Sequence, residues 1–204
     1  MSRTPNSRKH ETHERIVDVA ARAIRRHGYA GVGVADVMKE AGLTHGGFYA
    51  HFDSREALVI EAFGYAMDRS VEHWRAIAAE TPPEKRLSTI VDSYVSTVHR
   101  DDPGRGCAVP TLGAEIARES AKTRKAFSAK LEQLIDVMAE QILDVPRKTA
   151  RRQAMATLAT MMGTLVMSRV AGSGELSEEI LAAGREAALA RTEAAKPAVK
   201  KARA

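Results

Sequence analysis

The sequence predicts an all-α protein of about nine helices, three short ones in front and roughly six longer ones behind. Three observations predict it. Apolar residues recur at three- and four-residue spacing nearly from end to end. No stretch alternates apolar and polar residues as a half-buried strand does. Capping residues, prolines and glycines fall between the periodic segments, where helices start and stop. Of 204 residues, 44% are hydrophobic and only 4% aromatic. That is enough apolar residue for a core, so global disorder is excluded.

The elements follow in order. Ile16, Val17, Ala20, Ala21 and Ile24 make one apolar stripe, with Gly28 placed to end that helix. Val34, Val37, Met38 and Ala41 repeat the pattern and are closed by Gly42. Asp53 and Glu56 read as a capping box opening a long helix toward Ala79. Thr81, Pro82 and Pro83 open the next, in which Leu87, Ile90, Val91, Tyr94 and Val98 keep helical spacing. Residues 101–104 break the chain. Residues 107–119 and 123–143 read as two helices, and Pro146 precedes another over residues 147–170. Residues 172–174 turn, and residues 176–191 form the last helix. Residues 195–204 hold only Ala, Lys, Arg, Pro and Val, the composition of a basic disordered tail. The chain thus divides near Asp53.

The informative segment is residues 34–52, VADVMKEAGLTHGGFYAHF. A short helix, a glycine turn and a second short helix make the helix-turn-helix pattern. Gly42 permits the left-handed backbone that ends one helix. Thr44 is placed to cap the next, and Leu43 with Phe48 reads as a hydrophobic staple. Phe48 and Phe52 face the core with Val37 and Met38. The opposite face is small at its start, rich in donors and free of acid. In such motifs the N-terminal residues of the second helix approach base edges. Thr44, His45 and Gly46 are therefore the candidates for base readout. Tyr49, His51 and Arg55 suit phosphates, as does an N-terminal arm carrying Arg3, Arg8 and Lys9. The plainer reading is that a glycine turn between two helices occurs in helical proteins that bind no DNA, with Phe48 and Tyr49 simply core.

At these residues, from GYAG at positions 28–31 through AGLTHGGFYAHF at 41–52 and DSREAL at 53–58, the sequence resembles the TetR family of bacterial transcriptional regulators. The resemblance covers about the first sixty residues. It implies an all-helical homodimer with operator binding in front and effector binding behind. It places Thr44, His45, Gly46, Tyr49, His51 and Arg55 on DNA-contacting positions. Two departures stand out. Gly33 sits where a capping Thr or Ser is usual, and Arg55 sits where Lys is common. The implied organisation is a helix-turn-helix domain at 1–53, a helical effector-binding and dimerisation domain at 54–194, and the tail.

A dimeric reader needs a rigid two-fold interface. The last two helices offer apolar faces: Met155, Leu158, Ala159, Met162, Val166 and Val170 on one, and Leu176, Ile180, Leu181, Gly184 and Ala188 on the other. The alternative is that both faces are intrachain core. Trp74, Tyr94, Val98, Met138 and Met161 are candidate effector-lining residues, though such residues are more often plain core. Cys107 follows Arg105 and Gly106 at an expected helix N-terminus, where backbone amides favour a thiolate. Some TetR-like regulators with a similarly placed Gly-Cys sense electrophiles or oxidants. The alternative for Cys107 is a small buried hydrophobe.

Other classes recede. The single cysteine excludes a disulfide framework and a Cys-rich zinc site. No metal-ligand cluster, phosphate loop or catalytic constellation is written, so neither an enzyme nor a cofactor is expected. The longest uncharged stretch, residues 153–168, is too short to span a bilayer. The N-terminus lacks a signal-peptide core, so the expected compartment is the cytoplasm. The formal charge of +5 is unevenly spread. Residues 1–55 hold nine basic and six acidic side chains, and residues 185–204 hold six basic and two acidic. The middle sums to −2. The expected function is a repressor released from a palindromic operator by a small molecule, with Cys107 as one possible sensing point. The rival is an architectural DNA binder that uses Lys196, Lys200, Lys201 and Arg203 of the tail without reading sequence.

Overall fold

The computed structural model describes residues 5–193. Arg3 and the basic tail lie outside the described residues. Those described form nine α-helices, three 3-10 turns and no strand, the all-α architecture that the periodicity predicts. The helices are α1 Pro5–His27, α2 Val34–Glu40, α3 Arg55–Glu80, α4 Arg86–Tyr94, α5 Thr97–Asp101, α6 Val109–Ile116, α7 Ala121–Ala139, α8 Arg147–Ala171 and α9 Glu175–Glu193. The 3-10 turns are His45–Ala50, Pro83–Lys85 and Pro103–Arg105. Contacts divide the chain into two compact units. The front unit is the chain up to His73 together with Asp101–Gln133, and the rear unit is Trp74–Arg100 together with the chain from Leu134.

In the front unit, the whole predicted stripe of α1, from Ile16 to Ile24, is buried. Gly28 ends the helix at φ +77°, a conformation natural to glycine. Arg25, Arg26 and His27 occupy the last turn, where cations suit the helix dipole. No breaker separates residue 5 from Gly28, so Arg8 and Lys9 are helical rather than part of an extended arm. The α3 cap also differs from expectation. Ser54, not Asp53, accepts the Ala57 N–H at 3.1 Å. Glu56 accepts hydroxyl hydrogen bonds from Ser120 and Thr123 at 2.6 Å each. Those bonds hold its carboxyl below the ordinary value. Ser120 in turn caps α7 by accepting the Thr123 N–H at 3.1 Å. Phe63 and Phe127 stack with centroids 3.4 Å apart and close the core between α3 and α7.

In the rear unit, the helix expected to run on to Val98 stops at Tyr94. Val95 leaves helical geometry at ψ 70°, and Ser96 Oγ accepts the His99 N–H at 3.2 Å to start α5. The carbonyls loosened by this break find side-chain donors, as buried backbone must. The His99 ring bonds the Tyr94 carbonyl at 2.7 Å, and Arg185 bonds that of Val95 at 2.8 Å. Arg169 bonds those of His99 and Arg100 at 2.7 and 3.2 Å. The buried Arg100 guanidinium donates to Ser177 at 3.0 Å and to Glu178 at 2.7 Å.

Helices α8 and α9 pair closely. Leu158, Met161 and Leu165 are buried on α8, as are Leu181 and Ala188 on α9. A Cβ at Gly184 would fall inside the Thr164 side chain, so only glycine lets the two helices approach this far. Leu158, Leu181, Gly184 and Ala188 are thus intrachain core, a correction to their reading as interface. By length and composition α8 could cross a membrane, because the helix continues beyond the uncharged stretch and past its flanking arginines. Its buried face packs on α9.

Candidate nucleic-acid interface

The motif is built by local geometry. Gly42 has φ +73°. The Leu43 N–H reaches the Met38 carbonyl at 2.8 Å and the Gly42 N–H reaches that of Lys39 at 3.0 Å, the bond pair of a glycine-ended helix. Thr44 is extended and its carbonyl accepts the Gly47 N–H at 3.1 Å. Its hydroxyl makes no capping bond, contrary to the expected cap. The second helix is a 3-10 turn, His45–Ala50, closed by the His51 and Phe52 amides on the Phe48 carbonyl. Phe48 and Phe52 are buried and stack at 5.6 Å. That burial turns Thr44, His45, Gly46 and Tyr49 outward, and Tyr49 is 71% exposed. A Cβ at Gly46 would meet nothing within 4 Å. The fold therefore tolerates a side chain there, and the missing one leaves backbone open to close approach.

The two remaining predicted contacts sit differently. The His51 ring is partly buried, 5.8 Å from that of His13. Its Nδ1 is buried without a partner. Burial, then the charges of His13 and Lys9, push its pKa down. A partnerless buried Nδ1 suits the neutral ring with its proton on Nε2. Arg55 lies at the edge of the motif rather than on its outward face. Its Nε donates to the Val32 carbonyl at 3.0 Å, its Nη2 donates to the Tyr29 carbonyl, and the guanidinium lies over the Tyr29 ring at 4.7 Å. Two donors expected for phosphate are thus occupied within the chain. At Gly33 the backbone is extended and no side chain caps α2.

The candidate effector residues divide. Trp74, Tyr94, Met138 and Met161 are buried in the rear unit, and the Trp74 and Tyr94 rings meet edge to face at 5.9 Å. Val98, on α5, is 78% exposed, because the break after Tyr94 rotates it off the buried face; it lines nothing in the chain. Cys107 is buried in the front unit, as is Arg25, whose Nε has no partner and whose pKa burial pushes down. Among the described residues no group of three His, Cys, Asp or Glu side chains is disposed to hold a metal. Sequence reasoning missed Glu115, which accepts the Tyr29 and Ala30 amides at 2.8 and 3.4 Å. No local pattern marks a bond across so many residues.

This geometry finds its counterpart among known proteins. Residues 16–62 match the family model for bacterial regulatory proteins of the tetR family. Residues 83–183 match the model for the C-terminal domain of LmrA/YxaF-like transcriptional regulators. The chain belongs to the TetR family. It is a DNA-binding transcriptional regulator, of a family that binds operator DNA and small molecules as dimers, and not an enzyme. Among TetR-family relatives, the transcriptional repressor DhaR of Mycobacterium sp. strain GP1 is 24% identical, covering 95% of this chain and 97% of its own. The regulator LmrA of Bacillus subtilis is 24% identical over 79% of this chain and 88% of its own. Escherichia coli NemR in its reduced form superposes with a TM-score of 0.71 at 20% identity, covering 87% of this chain and 96% of its own. A TetR regulator from Chloroflexus aurantiacus gives 0.72 at 24%, with 88% and 94% covered. These two structures share the TetR-family fold.

Proposed function

We propose that this TetR-family regulator is a homodimeric repressor that leaves a palindromic operator when a small molecule binds. One observation carries the reading. The outward face of the His45–Ala50 turn, with Thr44, His45, Gly46 and Tyr49, is donor-rich, acid-free and backed by buried Phe48. The relative DhaR, named as a repressor, supports the sign of regulation. Residues 1–53 would read DNA, and residues 54–194 would bind the effector and dimerise.

The exposed side of α8 supports dimerisation through the last two helices. Met155, Val166, Met167 and Val170 are exposed, Val170 to 85%, and Leu176 of α9 is exposed as well. Such an apolar stripe on water is the signature of an interface. The opposite side of α8 is already used against α9. An apolar effector suits the buried Trp74, Tyr94, Met138 and Met161. Cys107, buried in the front unit, is the alternative sensing point, for an electrophile or oxidant.

Selection of bound DNA from random sequence by the full chain tests the proposal. An inverted repeat with half-sites about one turn apart is expected. A specificity ratio near unity defeats it and favours the architectural binder. For the thiol, Cys107→Ser should abolish release by quinones or hypochlorite. A fully normal release response in that variant removes Cys107 from the mechanism.

A further inference from the structure

The connection between α1 and α2, residues 28–33, holds three glycines, Gly28, Gly31 and Gly33. Glycine backbone is soft, yet this connection sets the angle at which α2 and the His45–Ala50 turn leave α1. Its polar groups are held on two sides. From one side, the Glu115 carboxylate on α6 accepts the amides of Tyr29 and Ala30 at 2.8 and 3.4 Å. From the other, Arg55 donates to the carbonyls of Tyr29 and Val32. The Tyr29 side chain is held as well. Its ring lies under the Arg55 guanidinium at 4.7 Å, and burial, then the charge of Glu119 and a hydrogen bond to it, push its phenol pKa up. Thr111, also on α6, donates to the Arg25 carbonyl at 3.2 Å. A Cβ at Gly28 would stand 2.7 Å from the Glu115 carboxylate, so glycine serves both the turn and the close seat of the acid.

We infer that Arg55 and Glu115 are positioning residues for operator binding, clamping residues 28–33 by their carbonyls and their amides so that the motif meets DNA at one fixed angle. The inference rests on the DNA-binding reading above. Arg55 then acts through the connection rather than on a phosphate. Bidentate bonding to two carbonyls while stacking on a ring is a task for a planar guanidinium and not for an ammonium. Glu115 gives α6 a direct hold on the angle of the motif.

The test uses the full chain and a DNA site that the wild type selects from random sequence. Binding is measured from low to high KCl for the wild type, Arg55→Lys, Arg55→Gln and Glu115→Gln. Each variant should weaken binding by about tenfold or more, the worth of one charge-assisted hydrogen bond. The slope of log affinity against log salt should stay at the wild-type value in Arg55→Gln. A phosphate contact predicts instead a slope smaller by about 0.9 and full rescue by Arg55→Lys; either result overturns the inference. Hydrogen exchange without DNA is the second readout. Glu115→Gln should speed the Tyr29 and Ala30 amides by about tenfold, and unchanged exchange also overturns the inference. If the wild type selects no sequence, the repressor reading fails, while the exchange experiment still decides the clamp.

Discussion

The imidazole of His13 stacks on the ring of Phe52, centroids 4.6 Å apart and planes 23° from parallel. A residue of α1 thus covers the aromatic that follows the His45–Ala50 turn. The His13 Nε2 lies 2.6 Å from the Glu61 carboxylate of α3, and the His51 ring lies 5.8 Å from that of His13. One side chain therefore ties the turn to both helices beside it.

That cluster predicts a pH dependence. Burial and the positive neighbours His13 and Lys9 lower the pKa of His51 in the folded chain. The unfolded chain takes up the proton at about pH 6.5, where free histidine titrates, while the folded chain resists it. The contribution is therefore complete above that pH and is lost as pH falls through the lower folded value. Thermal melts at pH 7.5 and 5 should show a smaller loss of stability in His51→Gln than in the wild type. Equal losses would remove His51 as the cause.

Gly46 separates folding from binding. Its Cβ position is open, so Gly46→Ala should melt within about 0.5 kcal/mol of the wild type, as an unconstrained surface change does. Its DNA affinity should fall severalfold, because the added methyl stands between backbone and groove. Wild-type affinity in Gly46→Ala would show that the backbone does not approach DNA there.

Tyr49 and His45 should fail differently. Tyr49→Phe removes one hydroxyl donor and should weaken binding to every sequence alike, by about 1 kcal/mol. His45→Ala should alter which half-site base is preferred. Competition between selected and mutated sites measures both. An unchanged preference profile in His45→Ala moves that residue to the backbone contacts.

Gly184 sets the α8–α9 distance. Gly184→Ala drives a methyl into Thr164 and should destabilise by about 1–3 kcal/mol, the usual range for overpacking. The double variant with Thr164→Ala removes Oγ1 and Cγ2 but keeps a Cβ 2.6 Å from the added methyl, so it should recover part of the loss. Urea unfolding of the four proteins in this cycle checks it, and no recovery would mean that Thr164 is not the obstacle.

Much of the motif is legible in the sequence. Gly42, Leu43, Phe48 and Phe52 lie within ten residues of one another, and their geometry follows from local capping and helical spacing. The same holds for the α1 stripe and its glycine stop. The cap at Ser54 is hidden in the sequence because Asp53 and Glu56 satisfy the capping spacing equally well. What decides between them is that Glu56 finds Ser120 and Thr123, partners far along the chain.

By itself the sequence determined the all-α class, the helix-turn-helix and the outward residues Thr44, His45, Gly46 and Tyr49, because each depends on spacing within a turn or two. Only the tertiary structure decided the break after Tyr94, the inward turn of Arg55, the hold of Glu115 on residues 29 and 30, and the division of α8 into a face spent on α9 and a face left to water. Periodicity says that a residue lies on an apolar face. When a helix has two such faces, as α8 does, only the neighbour that packs against one of them tells which is core. A side chain bonding backbone across most of the chain leaves no periodic trace at all, since chain separation places no constraint on the residues between.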